Sequence, residues 1–286
     1  MGVFWMQLIN GLFASSVLLI CALGMVIIFG NMNVVNLAHG EFIMTGAYVT
    51  WFMTDSLRLP FAAALIGAFL VAAVIGVVCE KLIMKRFYRR FEETLLATYA
   101  LSVIMAQIAR GLFSSMKKMV EIPVKGSLTV GGMVFPAYNF VIVAVAAAMV
   151  LLVCLLFYRT NFGKKIRAIK QNRQMAACIG IDTGVTDTLS FGLGCGLAGL
   201  AGAVIAPIKV ISPVMGSAYL MDSFSTVVVG GVDSFLGTSF SSALISESGS
   251  LMSGYMNGIY AQILVLVGII LVLRFRPHGL FAKERR

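Results

Sequence analysis

The chain alternates long apolar runs with short polar interruptions. Apolar stretches cover about residues 7–29, 40–53, 61–78, 95–113, 140–158, 188–208, 219–245 and 259–273. A membrane-crossing helix needs roughly 20 apolar residues, so the spacing predicts seven or eight helical elements joined by short loops. The second run is too short to cross alone. The seventh is interrupted by GGVDSFLG at 230–237, which suits a re-entrant segment or a hairpin of two short helices. Leu59 and Pro60 mark a tight turn. Residues 114–138 carry Gly, Pro and β-branched residues and read as an irregular or hairpin segment. The fold class that follows is all-α: a polytopic membrane helix bundle with a broken second helix, forming one integral domain over residues 1–286.

Composition agrees. The 286 residues are 59% hydrophobic and 12% charged, about half the charged share of a soluble domain, and the mean hydropathy is +0.96. Residues 1–29 contain no Lys, Arg, Asp or Glu, so no cleaved secretory leader is expected.

The net charge of +10 is clustered. Lys81, Lys85, Arg86, Arg89 and Arg90 sit in a charged loop at 80–93. A second set lies at 159–187, and Arg274, Arg276, Lys283, Arg285 and Arg286 close the chain. The positive-inside rule puts all three segments in the cytoplasm. The loop at 114–138 is then external, 219–245 begins and ends outside, and counting back puts the N-terminus outside. Aromatic residues are not interleaved with the basic ones as a base-stacking surface requires, so no nucleic-acid partner is expected.

Little points to chemistry within the chain. The five cysteines form no CxxC and read as small packing residues. His39 and Glu41 are two apart and His278 is alone, so no metal site is expected. There is no GxSxG elbow and no GxxxxGK[ST] loop. No catalytic residue and no cofactor is assigned to this chain. Energy for active transport must come from an ion gradient or from a separate ATPase.

The strongest exception to the apolar pattern is NVVNLAHGEF at 33–42. Asn33, Asn36, His39 and Glu41 fall between two apolar runs, where ionisable groups mark a polar path or a buried network that holds helices together. Glu41 has three readings: contact with solute, pairing with His39, or capping the orphan N–H groups of the second helix. Asp222 and Ser223 add path candidates, Asp222 also as the cap of an external helix start. Asp233 reads as a turn residue, and Glu247 and Ser248 as interface residues.

Two further patterns stand out. Residues 159–187 begin basic (Lys164, Lys165, Arg167, Lys170) and continue through Met175 and Ile179 to Gly180. This describes either a helix lying on anionic headgroups or a docking element seated in a partner's cleft. In the sixth run, Gly192, Gly196 and Gly199 recur on one face, and Gly194 and Gly202 belong to a small-residue ladder. Such faces allow close helix packing; the alternative is a glycine-lined path.

NLAHGEF followed by TGAY, RAIKQNRQMAACIGI, LSFGLGCGLAGLAGA, VVVGGVDSFLGT and FRPHGLF occur in that order over nearly the whole chain. Together they resemble the permeases of branched-chain-amino-acid-type ABC importers. QNRQMAACIGIDTGVTDTLSFGLG and YLMDSF are most similar to the urea branch, of the first-subunit type; Asp233 and ALISESGSLMSGYMNG depart from it. The resemblance implies an ATP-driven importer of a small polar solute in a bacterial inner membrane. Two membrane subunits, usually non-identical, form the path, two cytoplasmic ATP-binding subunits bind beneath, and an extracytoplasmic binding protein delivers cargo. Residues 159–187 would be the coupling segment. Urea offers four N–H donors and one acceptor, which Glu41, Asn36, Asp222, His39 and Ser223 can meet; branched-chain amino acids or another small amide are the alternative cargo. A passive channel, an intramembrane enzyme and an ion-coupled carrier are competing classes. They are separated by uptake without ATP, turnover by the chain alone, and gradient collapse.

Overall fold

The computed structural model describes residues 2–32, 34–88, 90–114, 116–232 and 234–281. Asn33, Arg89, Asp233, Lys283, Arg285 and Arg286, named above, lie outside them. In chain order come α1 (Gly2–Met32), α2 (His39–Trp51) with a π-helical extension (Phe52–Ser56), α3 (Phe61–Leu82) and α4 (Phe91–Phe113). A hairpin of β1 (Ser127–Val130) and β2 (Met133–Pro136) follows. Then come α5 (Ala137–Arg159), α6 (Asn161–Gln171), α7 (Arg173–Cys178), α8 (Thr183–Ile205), α9 (Met215–Gly230), α10 (Phe235–Ser253) and α11 (Gly258–Phe275). Among the described residues six helices are long and apolar enough to cross a membrane, and α9 and α10 pass together as a pair bent by 120°. The all-α polytopic bundle, the broken second helix and the two-helix hairpin are all present.

Burial does not follow hydropathy. α8 has a mean hydropathy of only 1.7 yet is 83% buried, and α1 is 72% buried. α5, at 3.2, is 28% buried and α11 is 6% buried. Lipid is as apolar as leucine, so the centre is chosen by close packing of small side chains instead. All five α8 glycines named above are buried. Gly192 and Gly196 lie against Ala73 and Phe69 of α3, Gly199 against Ala68 and Ala72 of α3, Gly194 against Gly24 of α1, and Gly202 against the Ile43 carbonyl of α2. A Cβ at Gly194 would stand 2.7 Å from the Gly24 carbonyl oxygen, so α1 and α8 touch backbone to backbone.

Side-chain contacts define two ends. At one, Thr188 of α8 meets Glu80 of α3, Phe157 of α5 packs on Phe235 of α10 at 4.7 Å, and Asn31 of α1 bonds Ser190 of α8. The chain's tail closes on the same region: Leu280 N–H donates to the Val229 carbonyl at 2.8 Å, beside the α9–α10 bend. The described parts of all three basic clusters border this end. At the other, Phe13 of α1 packs on Phe135 and Phe140, and Tyr138 donates to the Val204 carbonyl at 2.8 Å. The β-hairpin is here, turning through Gly131 and Gly132 with φ of 59° and 82°, the left-handed pair that two-residue hairpin turns require.

Three placements differ from the sequence reading. Glu80 is not in a loop: α3 runs on through Leu82, and Glu80 is 1% exposed. Hydrogen bonds from Tyr88 and Thr188, each 2.6 Å, satisfy its carboxylate there. Asp222 does not cap a helix start, because α9 begins at Met215 and Asp222 falls within the helix. Helix α8 also starts earlier than the apolar run, at Thr183, where Asp182 accepts from Val185 N–H at 3.0 Å as its N-cap.

Candidate functional site

The break between α1 and α2 is built by its own polar residues. Asn36 Oδ1 accepts from Ala38 N–H at 3.1 Å, and the Asn36 carbonyl accepts from His39 N–H at 3.1 Å. This side-chain turn starts a helix. It also stands in for a side-chain cap, since Ala38 at the N-cap position can provide none.

His39, Gly40 and Glu41 then reach three different neighbours. Successive helical residues are about 100° apart (3.6 per turn), so consecutive side chains leave in separate directions. His39 is fully buried and donates from Nε2 to the Cys21 carbonyl of α1 at 2.9 Å. Its Nδ1 is therefore an acceptor, and it has no partner among the described residues. Gly40 rests on Gly216 of α9, where a Cβ would meet the Gly216 carbonyl carbon at 2.6 Å. Glu41 turns to α4: Oε1 accepts from Ser102 Oγ at 3.4 Å and Oε2 has no partner among the described residues. His39 and Glu41 point apart and make no hydrogen bond with each other, and the Glu41 carboxylate does not cap α2.

The remaining path candidates are spread out. Asp222 is exposed within α9. Ser223, the next residue, is buried on the face shared by Gly216 and Val227, with its hydroxyl unpartnered among the described residues. Asn36 Nδ2 is also buried and unpartnered among them.

Sequence reasoning missed a cavity that begins one helical turn beyond Glu41. A space of about 290 Å³ lies between α2, α3 and α4, lined by Met44, Tyr48, Ile75, Met105, Ile108 and Phe113 among others. Tyr48 stacks on Phe113 at 4.4 Å, and its buried hydroxyl has no partner among the described residues. Ile108 and Leu112 are lining residues that are also exposed, so the cavity has an open side. Glu41 and Ser102 each stand one helical turn before the first lining residues of α2 and α4 (Met44 and Thr45; Met105). The cavity is thus apolar along its length, and Glu41 and Ser102 stand one turn beyond its lining. The signal available in sequence was the α2 stripe Glu41, Thr45, Tyr48, Val49 and Phe52, at helical spacing.

At the basic end, α6 turns Ile166 and Ile169 inward and leaves Lys164 and Lys165 exposed. Lys170 is half-buried. Arg167 is tied to its own bundle, donating to the Phe157 carbonyl. α7 is capped by Asn172, which accepts from Met175 N–H at 2.9 Å, and ends at Gly180 with φ of 86°. Met175 and Ile179 are 60% and 67% exposed. Beside α7, burial and the Glu80 carboxylate push the Tyr88 hydroxyl far above the ordinary phenol range, which keeps it a donor to Glu80.

The family model described as "Branched-chain amino acid transport system / permease component" matches residues 7–273. The high-affinity branched-chain amino acid transport system permease protein LivH of Salmonella typhimurium is 25% identical, covering 98% of this chain and 96% of that one. The corresponding protein BraD of Pseudomonas aeruginosa is 24% identical over 97% and 95%. A shorter match, 34% over 146 residues, links 48% of this chain to 38% of the fructose import permease protein FrcC of Rhizobium meliloti. With the match extending over nearly all of its helices, the chain belongs to the branched-chain amino acid transport permease family, as a multi-pass membrane transport subunit.

Proposed function

We propose that this chain is one membrane subunit of an ATP-driven importer and that its cargo is a branched-chain amino acid. The observation that carries the cargo reading is the cavity between α2 and α4. It holds about 290 Å³ of almost wholly apolar surroundings, and Glu41, whose Oε2 has no partner among the described residues, stands one helical turn beyond its lining. Burying an aliphatic side chain gains roughly 1.5–3 kcal/mol. Placing an unbonded N–H or carbonyl group in such a place costs roughly 2–7 kcal/mol. An amphipathic solute fits: aliphatic end among Met44, Met105 and Ile108, ammonium toward Glu41. Urea has no apolar part and many polar groups, and it suits this lining poorly. The names of LivH and BraD favour the same cargo.

Urea remains the second reading. It is supported by QNRQMAACIGIDTGVTDTLSFGLG and YLMDSF, which resemble the urea branch.

Three kinds of partner follow from the importer reading. A second permease subunit, usually non-identical, covers the open side of the cavity and completes the path. Two ATP-binding subunits bind beneath the pair, one of them seated against α6 and α7, where exposed Met175 and Ile179 follow the basic Lys164 and Lys165. An extracytoplasmic binding protein meets the opposite end. The positive-inside rule makes the basic end cytoplasmic, in a bacterial inner membrane.

Competition uptake tests the cargo. In the reconstituted importer with ATP, excess unlabelled isoleucine should suppress labelled leucine uptake and excess urea should not. ATP-driven uptake of labelled urea, unaffected by leucine, would replace this cargo with the other.

A further inference from the structure

Two acidic side chains lie buried side by side near the basic end, and neither belongs to the solute path. Glu80, in the last turn of α3, and Asp187, in the second turn of α8, are each 1% exposed. Glu80 is satisfied by Tyr88 and Thr188. Asp187 is held on one oxygen only: Oδ2 accepts from the Arg173 guanidinium, and Oδ1 has no partner among the described residues. Arg173 is the first residue of α7, and its side chain is 51% exposed. A surface helix is therefore pinned to the bundle through a carboxylate inside it.

From Asp187 the contacts continue inward. The adjacent Thr188 bonds Glu80 of α3. One turn on, Ser190 accepts from Asn31 Nδ2 of α1 at 2.8 Å, just before the break. Further along α8, Gly202 rests on the Ile43 carbonyl of α2, the helix that forms one wall of the cavity. Withdrawing Arg173 would leave Asp187 buried and uncompensated beside Glu80. Breaking a buried pair on one side is far more disruptive than never having formed it. The position of α7 and the arrangement of α3 and α8 are thus energetically tied.

We infer that Arg173 and Asp187 form the latch by which movement of the ATP-binding subunit under α7 is passed to α8 and so to the broken helix. Arg173 is a positioning residue in this scheme and touches no solute. The inference rests on the proposal that α6 and α7 seat an ATP-binding subunit. A pair that merely holds α7 in place would lower assembly, hydrolysis and transport together, whereas a latch sets how much solute moves per ATP.

The complete importer in proteoliposomes separates these. Arg173→Gln, at a half-exposed position, should still assemble and hydrolyse ATP while solute moved per ATP falls about ten-fold, within the range of ordinary coupling energies. Arg173→Lys, which keeps the charge, should restore most of that ratio, and Asp187→Asn should reproduce the loss. An unchanged ratio in both Arg173→Gln and Asp187→Asn, whatever happens to the absolute rates, overturns the latch. Cross-linking through Cys178, an exposed cysteine on α7, tests the premise separately. Bonds to an ATP-binding subunit together with an unchanged ratio defeat the latch alone. Absence of any such bond in the assembled complex defeats both.

Discussion

Three consecutive residues, His39, Gly40 and Glu41, decide how α2 meets α1, α9 and α4. Substituting Gly40 by Ala would force a Cβ into the Gly216 backbone, which a side-chain shift cannot relieve. Overpacking of this kind costs about 1–3 kcal/mol, so Gly40→Ala should lower the thermal midpoint of the purified subunit. Gly111→Ala, which meets nothing within 4 Å, should not. Glu41→Gln keeps the shape of the side chain and removes its charge. Uptake by the importer should fall while expression and assembly stay normal, and normal uptake would remove Glu41 from the path. That Asn36, His39 and Glu41 are exceptional was legible in sequence, because ionisable groups are rare between apolar runs. Their partners were not: Cys21 is 18 residues from His39 and Ser102 is 61 from Glu41, and no local pattern encodes such pairings.

Helices were legible wherever the apolar run was long, and their ends were not wherever a cap lay outside the run. Asp182 begins α8 five residues before the apolar stretch does, and Glu80 prolongs α3 into what reads as a charged loop. Asp222 was misread as a cap because Met215–Ala218 has too little apolar character to announce a helix. Asp182→Ala should therefore destabilise α8's first turn by about 1 kcal/mol, seen as a lower thermal midpoint. α7 shows how a six-residue helix becomes recognisable by its ends, through the Asn172 cap and Gly180, more than by its interior. Its exposed Met175 and Ile179 give a direct test of the docking surface. Met175→Glu with Ile179→Glu should abolish co-purification of the ATP-binding subunits while the chain still inserts in the membrane. Retained co-purification would place the docking surface elsewhere.

At the scale of the whole molecule, the bundle pairs a small-residue helix, α8, at its centre with large apolar side chains both inside and on its exterior, unlike a soluble protein's polar surface. The glycines of α8 let α1, α2 and α3 gather around it, and the two bent or broken elements, α1–α2 and α9–α10, meet at Gly40 and Gly216. The ordered motifs carried the family in sequence. The cavity was hidden, because its lining is ordinary membrane-helix composition and only the pairing of α2 with α4 makes it a space. The urea-like stretches lie largely around α7, α8 and α9, away from that lining, so they speak less directly to what passes beside α2. The central claim is that solute passes through the space between α2 and α4. Met105→Trp fills that space from a buried position, and Leu151→Trp, at an exposed position on α5, serves as its control. In the reconstituted importer, ATP-driven leucine uptake should drop steeply for Met105→Trp and stay at the wild-type rate for Leu151→Trp, with both complexes assembled. Wild-type uptake by an assembled Met105→Trp importer would contradict the account.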